Sequence, residues 1–220
     1  MATCALRPTL TVYCASARGA SPEFLVAARQ FGQAIGERGM DLVYGGGGIG
    51  LMGEVARSAQ KSGARVTGII TEQFLNLEQG WSGCDEMIVV DSMRERKRQL
   101  EERGGGFAIL AGGLGTWEEF FETLVGRVIG RHSKPIGLLN TSGFADPLWQ
   151  LVTHGVDHGF VRPAARDLMW MESDPNLLAR RLHTAITTAT IEAHDPQALL
   201  PMHGNPRPEV ERTVEKAVEK

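Results

Sequence analysis

The sequence predicts an α/β protein with a three-layer, Rossmann-like fold, in which a mostly parallel sheet of about seven strands is flanked by helices. Short apolar segments alternate with amphipathic segments of about 10 to 15 residues, which is the pattern of βαβ units. The apolar segments are nearly continuous runs, as in strands that are covered on both faces. Glycine clusters follow two of them, and parallel sheets bind ligands at the carboxyl ends of their strands.

Each predicted strand is an apolar segment that polar, glycine or proline residues bound. The strands are predicted over Leu10–Cys14, Met40–Tyr44, Arg65–Ile70, Glu86–Val90, Phe107–Leu110, Pro135–Leu139 and Asp167–Met171. The helices are predicted from Ser21-Pro22 onward, over Leu51–Ser62, Met93–Arg103, Trp117–Arg131 and Pro147–His158, and from Pro175 onward. Ser21 and Pro22 are an N-cap and a first-turn proline. Ser92 and Glu95 form a capping box before the helix that begins at Met93.

The chain has 220 residues, a length that fits a single domain. We assign residues 1–190 to one Rossmann-like domain. Residues 191–220 differ in character. Four proline or glycine residues lie between Pro196 and Pro206, inclusive, and the end of the segment is charged. This segment is expected to be a C-terminal tail.

The composition argues against several kinds of partner. The formal net charge of −3 disfavours binding to nucleic acid. No apolar run approaches the roughly 18 residues of a membrane span, so no membrane partner is expected. The cysteines Cys4, Cys14 and Cys84 are odd in number and fit no metal spacing. They indicate a reducing compartment, and we expect a cytoplasmic protein.

The first glycine cluster, Gly45–Gly53, matches the pattern G-x-G-x-x-G twice. It follows a predicted strand and opens a helix, so its amides can point at a phosphate; the alternative is a tight strand-to-helix turn. An NAD site is disfavoured, because the cluster follows the second strand and the acid nearest the required position, Glu72, falls beyond the third. A P-loop is excluded, because the chain contains no G-x-x-x-x-G-K-[ST].

The second glycine cluster is Gly112-Gly-Leu-Gly-Thr116, directly after the fifth predicted strand. Thr116 can cap the following helix while its hydroxyl and the neighbouring amides bind an anion. A second phosphate-binding loop at a second strand end favours a nucleotide site. Two interpretations of Glu119 stay open: it completes a capping box with Thr116, or it is a catalytic carboxylate.

The helix that begins at Met93 is rich in basic side chains. Either Arg96 or Lys97 shares a face with the apolar residues Met93 and Leu100. A cation on an inward face needs a partner, because burying it alone is costly. A bound phosphate or a carboxylate such as Glu119 would supply one.

Neither a metal nor an organic cofactor is expected. His154 and His158 lie four residues apart on a predicted helix but lack a nearby acid of the right type. The chain has only five lysines, and none lies in an apolar pattern suited to a Schiff base with pyridoxal phosphate.

Three segments in the same order resemble the signatures of the LOG (Lonely Guy) family. They are Gly45-Gly-Gly-Gly-Ile-Gly-Leu-Met-Gly53, Met93-Arg-Glu-Arg-Lys97 and Ala111-Gly-Gly-Leu-Gly-Thr-Trp-Glu-Glu119. The corresponding signatures are G-G-G-x-x-G-L-M-G, M-x-x-R-K and P-G-G-x-G-T-x-x-E, and the resemblance runs from Thr11 to about Met171. One departure is Ala111 in place of the signature proline, which removes no functional group.

The family's enzymes are cytokinin riboside 5′-monophosphate phosphoribohydrolases, often described as lysine decarboxylases, and are typically dimeric. The resemblance implies that Arg96 and Glu119 are a catalytic pair. It implies a phosphate-binding loop of Gly112, Gly113, Gly115 and Thr116, a cleft lined also by Lys97, Gly46, Gly47 and Gly48, and a base site beside Met52 and Met93. The partners expected are a nucleoside 5′-monophosphate and a second copy of the chain.

The expected reaction breaks the bond between C1′ of ribose and N9 of adenine. The residues themselves do not indicate the preferred base, and the resemblance implies N6-prenylated adenine, with adenosine monophosphate as a slower substrate. Positive charge builds on the sugar, so Glu119 must be ionised, and Arg96 nearby would favour that form. Residues 1–190 would then be a nucleotide-binding catalytic domain. The main alternative is a non-catalytic carrier of a nucleotide or of the molybdenum cofactor, which has the same fold. A pyridoxal-dependent decarboxylase and an NAD oxidoreductase are two weaker alternatives.

Overall fold

The structure is a computed structural model that describes residues 7–77 and 80–188. The domain boundary at residue 190, the tail over residues 191–220 and Cys4 lie outside the described residues.

The seven strands form one sheet in which every neighbouring pair is parallel. They are β1 (Thr9–Tyr13), β2 (Asp41–Tyr44), β3 (Val66–Thr71), β4 (Glu86–Val90), β5 (Gly106–Ile109), β6 (Ile136–Leu139) and β7 (Met169–Glu172). Their order across the sheet is β4-β3-β2-β1-β5-β6-β7. This order confirms the α/β fold class, and the direction of winding reverses between β1 and β5, where such sheets bind ligands.

Helices cover both faces of the sheet. They are α1 (Pro22–Glu37), α2 (Gly50–Lys61), α3 (Glu72–Leu77), α4 (Met93–Arg103), α5 (Leu114–Val128), α6 (Asp146–Asp157), α7 (Pro163–Arg166) and α8 (Pro175–Thr188), with a 3-10 turn at Thr141–Gly143. One core, under α1, α2 and α8, contains Phe31 and Leu182. The other, under α4, α5 and α6, contains Leu100, Phe120 and Val152. Within residues 7–77 and 80–188, no helix is long and apolar enough to cross a membrane.

The sequence pattern does not predict α3, α7 or the 3-10 turn. Each has six residues or fewer, which is too short to show a helical period. The other helices begin within about three residues of the predicted positions, as expected for boundaries read from sequence.

The start of α5 differs from the prediction in a way that affects the site. Gly113 is the N-cap, and its carbonyl oxygen accepts from the Trp117 N–H at 3.1 Å, so the helix begins at Leu114. Glu119 therefore lies six residues after the N-cap, whereas the carboxylate of a capping box lies three residues after it. The capping-box interpretation of Thr116 and Glu119 is wrong. Thr116 lies in the first turn of α5 and Glu119 in the second.

Helices α1 and α2 pack closely, because α1 presents glycine residues to α2. A Cβ added at Gly32 would lie 2.4 Å from the carbonyl oxygen of Val55. A Cβ added at Gly36 would lie 2.6 Å from the carbonyl oxygen of Ser62. Since α2 begins beside the carboxyl end of β2, this packing also positions the glycine cluster that precedes α2.

We expect Gly32→Ala to lower the free energy of unfolding by about 1 to 3 kcal/mol, because backbone atoms of α2 must move to admit the methyl group. Gln30→Ala, on the exposed face of the same helix, is the control and should change it by less than about 0.5 kcal/mol. Denaturant titration followed by circular dichroism measures both. Equal stability of the two variants would contradict the close approach of the helices.

Candidate active site

A cleft of about 260 Å³ opens at the carboxyl ends of β1 and β5, where the strand order reverses. Its lining residues are Cys14, Ala15, Ser16, Ala17, Met52, Met93, Arg96, Gly113, Gly115, Thr116, Glu118 and Glu119. Seven of the twelve predicted site residues are among them: Met52, Met93, Arg96, Gly113, Gly115, Thr116 and Glu119. The other five, Gly46, Gly47, Gly48, Lys97 and Gly112, lie outside this lining.

One side of the cleft is the loop after β1, Cys14–Ala17, which the sequence analysis does not identify as part of the site. The Ala15 N–H donates to the carbonyl oxygen of Ala111, the residue in place of the signature proline, at 3.1 Å. The Ala15 carbonyl oxygen accepts from the Met52 N–H, also at 3.1 Å. These bonds fix the loop between β5 and α2. Its small, uncharged side chains carry no chemical signal, so only its place after a predicted strand could have indicated it.

Arg96 is the buried cation of the site, with 4% of the residue exposed. It extends from the first turn of α4 toward the ends of β2 and β3. Its Nε donates to the carbonyl oxygen of Ile69 at 2.9 Å, and its Nη2 donates to that of Gly45 at 2.8 Å. A Cβ at Gly45 would lie 2.3 Å from Nη2. The first glycine of the cluster is therefore required by the approach of the guanidinium.

The next three glycines lie outside the cleft lining and contact other residues. The Gly46 carbonyl oxygen accepts from the Trp81 N–H at 3.0 Å, and Gly47 pairs with Gly80 through an antiparallel bridge. The Gly48 carbonyl oxygen accepts from the Arg57 side chain at 3.0 Å. These contacts show a packed turn between β2 and α2, while binding of a phosphate by its amides stays a prediction.

Glu119 extends from the second turn of α5 and is 8% exposed. Thr116, one turn earlier, is also buried and lines the same wall. Gly113 and Gly115 border open space, since a Cβ at either would have no heavy atom within 4 Å. Gly112 instead lies behind the wall, where a Cβ would be 2.2 Å from the Thr116 hydroxyl oxygen. The start of α5 thus presents backbone to the cleft, in a position suited to an anion.

Tyr13, the last residue of β1, is buried beside Glu119. Burial raises the pKa of this phenol far above its usual range, and the negative charge of Glu119 raises it further. The phenol hydrogen-bonds with the Thr123 side chain, and its ring stacks on Phe107 with centroids 5.9 Å apart. Tyr13 therefore adds no charge beside Glu119 at physiological pH.

The remaining wall is partly apolar. Met52 from α2 is buried, whereas Met93 at the start of α4 is exposed at the mouth. Both thioethers are flexible enough to adapt to a planar ring. This is the only pair of long apolar side chains among the lining residues in the described part of the chain.

Lys97 points across the mouth of the cleft from α4 to α5. Its Nζ lies 2.7 Å from Oε1 of Glu118 and 3.0 Å from Oε2 of Glu122. Hydrogen bonds to Glu118 and Glu122 raise the pKa of Lys97 above its usual value. Of these three side chains, Glu118 lines the cleft.

Other candidate groups lie elsewhere. The rings of His154 and His158 are 4.1 Å apart on α6 and do not line the cleft. Among residues 7–77 and 80–188, no three His, Cys, Asp or Glu side chains are grouped as metal ligands.

The fold and the cleft define a class of protein: a doubly wound α/β protein whose switch-point cleft holds a buried guanidinium, a buried carboxylate and a helix start open to an anion. Comparison with known families gives the particular one. The model of a family described as "Possible lysine decarboxylase" matches residues 52–182. Together with the relatives below, this match shows that the chain belongs to the LOG family.

Three of the curated relatives are plant proteins. The chain is 38% identical over 177 residues to the probable cytokinin riboside 5′-monophosphate phosphoribohydrolase LOG4 of Oryza sativa subsp. japonica, covering 80% of this chain and 77% of the relative. It is 35% identical to the rice phosphoribohydrolase LOG, covering 82% and 85%. It is 36% identical to LOG7 of Arabidopsis thaliana, covering 79% and 80%.

Solved structures share the fold at lower identity. A molybdenum cofactor binding protein from Rippkaea orientalis superposes with a TM-score of 0.64 at 23% identity, covering 84% of this chain and 99% of that one. The molybdenum cofactor carrier protein of Chlamydomonas reinhardtii gives a TM-score of 0.62 at 20% identity, covering 83% and 100%. At these identities the similarity shows the fold alone.

The two roles of glycine in the site can be separated by stability. We expect Gly45→Ala to lower the melting temperature, because the methyl group displaces the buried Arg96 side chain. Gly115→Ala is the matched control: it meets no neighbouring atom, and alanine in a helix should raise stability by about 0.5 to 1 kcal/mol. Thermal unfolding measures both. A Gly45→Ala variant as stable as the wild type would show that Arg96 does not need this approach.

Proposed function

We propose that this protein hydrolyses the N-glycosidic bond of adenosine 5′-monophosphate and its N6-modified forms, releasing adenine or the free cytokinin base and ribose 5-phosphate. One observation carries the proposal: Arg96 and Glu119, on two different helices, are both buried and line the same cleft. Membership of the LOG family, whose relatives carry this activity in their names, supports the same reaction.

Glu119 is the group proposed to act on the sugar. As the C1′–N9 bond breaks, its electron pair leaves with the base, and positive charge develops on C1′ and the ring oxygen. An ionised Glu119 beneath the ring would stabilise that charge and orient a water molecule, whose oxygen bonds to C1′. The water then gives up one proton, and the departing base takes one up. The balance is one water consumed for each base released.

Arg96 is proposed to supply a positive charge of fixed position and orientation in the same step. Two carbonyl oxygens orient the guanidinium, so little reorganisation accompanies the reaction. Its positive charge favours the ionised form of a carboxylate in the same cleft.

The 5′-phosphate is proposed to bind at the start of α5, through Gly113, Gly115 and Thr116. The open space beside both glycines and the orientation of the helix support this role. Gly112 is proposed to support the loop from behind Thr116. Binding energy from the phosphate would position the sugar over Glu119.

The base is proposed to lie between Met52 and Met93. Because Met93 is exposed at the mouth, a substituent on N6 would have room to extend there. We propose N6-prenylated adenine as the preferred base, with unmodified adenine as the slower one.

Two alternatives receive less support. A carrier of the same fold needs no carboxylate beside its ligand, and the solved carriers are below 25% identical. A pyridoxal-dependent decarboxylase needs a lysine at its cofactor. In the described part of the chain no lysine lines the cleft, Lys97 is paired with two carboxylates, and Lys134 precedes β6, at the opposite edge of the sheet.

The test compares base release from adenosine monophosphate, N6-isopentenyl-adenosine monophosphate and adenosine. We expect Glu119→Gln to lower the rate at least about 100-fold while the nucleotide still binds, because the ionised carboxylate is lost but its shape is kept. Glu122→Gln, one turn along α5, is the control and should keep its activity. Chromatography of the free base gives the rates, and adenosine should react poorly. Turnover of adenosine as fast as its monophosphate would reject the role of the phosphate.

We further propose that the protein forms a homodimer through α5. Five apolar side chains lie along one stripe of this helix and its C-terminal end: Leu114, Trp117, Phe121, Val125 and Ile129. Leu114 is 80% exposed and Val125 is 53% exposed. A stripe at this spacing suits helix-to-helix packing, and burying it would lower the free energy of an assembly. Because α5 also carries Glu119, such an interface would border the cleft.

The oligomeric state can be read from light scattering on a sizing column. We expect the wild type to have twice the chain mass of 23.9 kDa. Val125→Glu should yield monomer, because a charge cannot be buried unpaired at the interface. Val26→Glu on α1, where Val26 is 45% exposed, is the matched control and should stay dimeric. A dimeric Val125→Glu protein would place the interface elsewhere.

We propose the reducing cytoplasm as the compartment, because the three cysteines of the chain are odd in number and fit no metal spacing.

A further inference from the structure

The ion pairs of Lys97 lie beside the cleft. Lys97 is carried by α4, directly after Arg96, and Glu118 is carried by α5, directly before Glu119. The Lys97 side chain is largely covered, whereas that of Glu118 is more than half exposed. Glu118 therefore presents a carboxylate both to the cleft and to solvent, and Lys97 is its cation at 2.7 Å.

If Lys97 were absent, the charges on the cleft wall would disfavour binding of an anionic ligand. The charged lining residues are Arg96, Glu118 and Glu119, which sum to a net charge of −1. A nucleoside monophosphate adds a dianion close to the start of α5, only a few residues from Glu118. Charges that are partly exposed to solvent still interact over the Debye length of about 8 to 10 Å. Glu118 would repel the phosphate unless its charge were compensated.

We propose that Lys97 and Glu118 form a charge-compensated pair that sets the affinity of the cleft for the phosphate of its substrate. In this arrangement Glu118 is a specificity-determining residue, and Lys97 acts on the phosphate through Glu118. The inference rests on the proposed function, in that the ligand is taken to be a nucleoside monophosphate.

The contacts of Lys97 distinguish this role from that of a direct phosphate ligand. Two of the three ammonium donors are engaged by Glu118 and Glu122, and Lys97 lies outside the lining of the cleft. If Lys97 left Glu118 to bind the phosphate, it would exchange one anionic partner for another. The Glu118 carboxylate would then face the same phosphate without a cation beside it. Holding Glu118 in place lowers the repulsion with no such exchange.

The experiment measures dissociation constants of adenosine monophosphate and adenosine by calorimetry at low salt. Every variant is made in the Glu119→Gln background, so that no turnover occurs. We expect Lys97→Met to weaken binding of the monophosphate about 2- to 5-fold, the range for a pair that is partly exposed, and to leave adenosine unchanged. Glu118→Gln should tighten the monophosphate by a similar factor. The double variant should return to the affinity of the background.

Glu122→Gln is the matched control, because it removes the same charge and contacts the same lysine but lies outside the cleft lining. It should tighten the monophosphate clearly less than Glu118→Gln does, because Glu122 lies one turn further from the start of α5. High salt should shrink the effects of Lys97→Met and Glu118→Gln. If circular dichroism shows that the Lys97→Met variant is unfolded, Lys97→Gln replaces it.

Each other outcome overturns the proposal. A double variant that binds as weakly as Lys97→Met would make Lys97 a direct ligand of the phosphate. Equal weakening of adenosine and its monophosphate would make Lys97 a structural link between α4 and α5. A Glu118→Gln variant with unchanged affinity for the monophosphate would show that this carboxylate does not affect phosphate binding. Failure of the proposed function is distinguishable, since the parent protein would then bind the nucleotide without releasing base.

Discussion

Arg96 carries a full positive charge in a place that water barely reaches, and much of the site follows from that burial. A buried cation costs several kcal/mol unless its donors are bonded and its charge is compensated. The carbonyl oxygens of Ile69 and Gly45 accept two of its hydrogen bonds. Both oxygens are available because β2 and β3 are neighbours in a parallel sheet and end at the same edge. The glycine after β2, the strand order and the start of α4 therefore depend on one another.

The carboxylate of the site is positioned by a different element. Glu119 comes from α5, which follows β5, while Arg96 comes from α4 on the other side of the switch point. Because α5 begins at Leu114, the helix start and Glu119 are separated by more than a turn. A ligand can thus place an anionic group at the helix start and a second reacting centre over the carboxylate. Tyr13 is buried beside Glu119, whose negative charge raises the pKa of the phenol further above its usual range.

The same fold is found in molybdenum cofactor carriers, so the sheet and its helices do not by themselves define the chemistry. What differs between a binding cleft and a catalytic one is the set of side chains at the switch point. Here these include a guanidinium with fixed orientation, a buried carboxylate and a second carboxylate whose charge a lysine offsets. Identity of 35% to 38% with named phosphoribohydrolases over most of the chain agrees with that set.

The sequence by itself determined the seven strands and six of the eight helices, and its resemblance to the LOG family implied the pair Arg96 and Glu119 as candidates for one site. These features are readable because strand and helix periods are local, and because the motif residues follow strands that must end at one edge. The two short helices α3 and α7 were not predicted, since fewer than two turns show no helical period. The choice between a cap and a catalytic group at Glu119 was also open, because both uses need the same residues at the same spacing.

Only the tertiary structure decided what the first glycine cluster does. Gly45 admits the Arg96 guanidinium, Gly46 and Gly47 contact the backbone of Trp81 and Gly80, and Gly48 accepts from the Arg57 side chain. Only the tertiary structure brought the loop Cys14–Ala17 into the cleft and paired Lys97 with Glu118. These outcomes depend on which atoms meet across the sheet and between helices far apart in the chain. Local pattern cannot encode them, because small residues and exposed charges look alike until their neighbours are known.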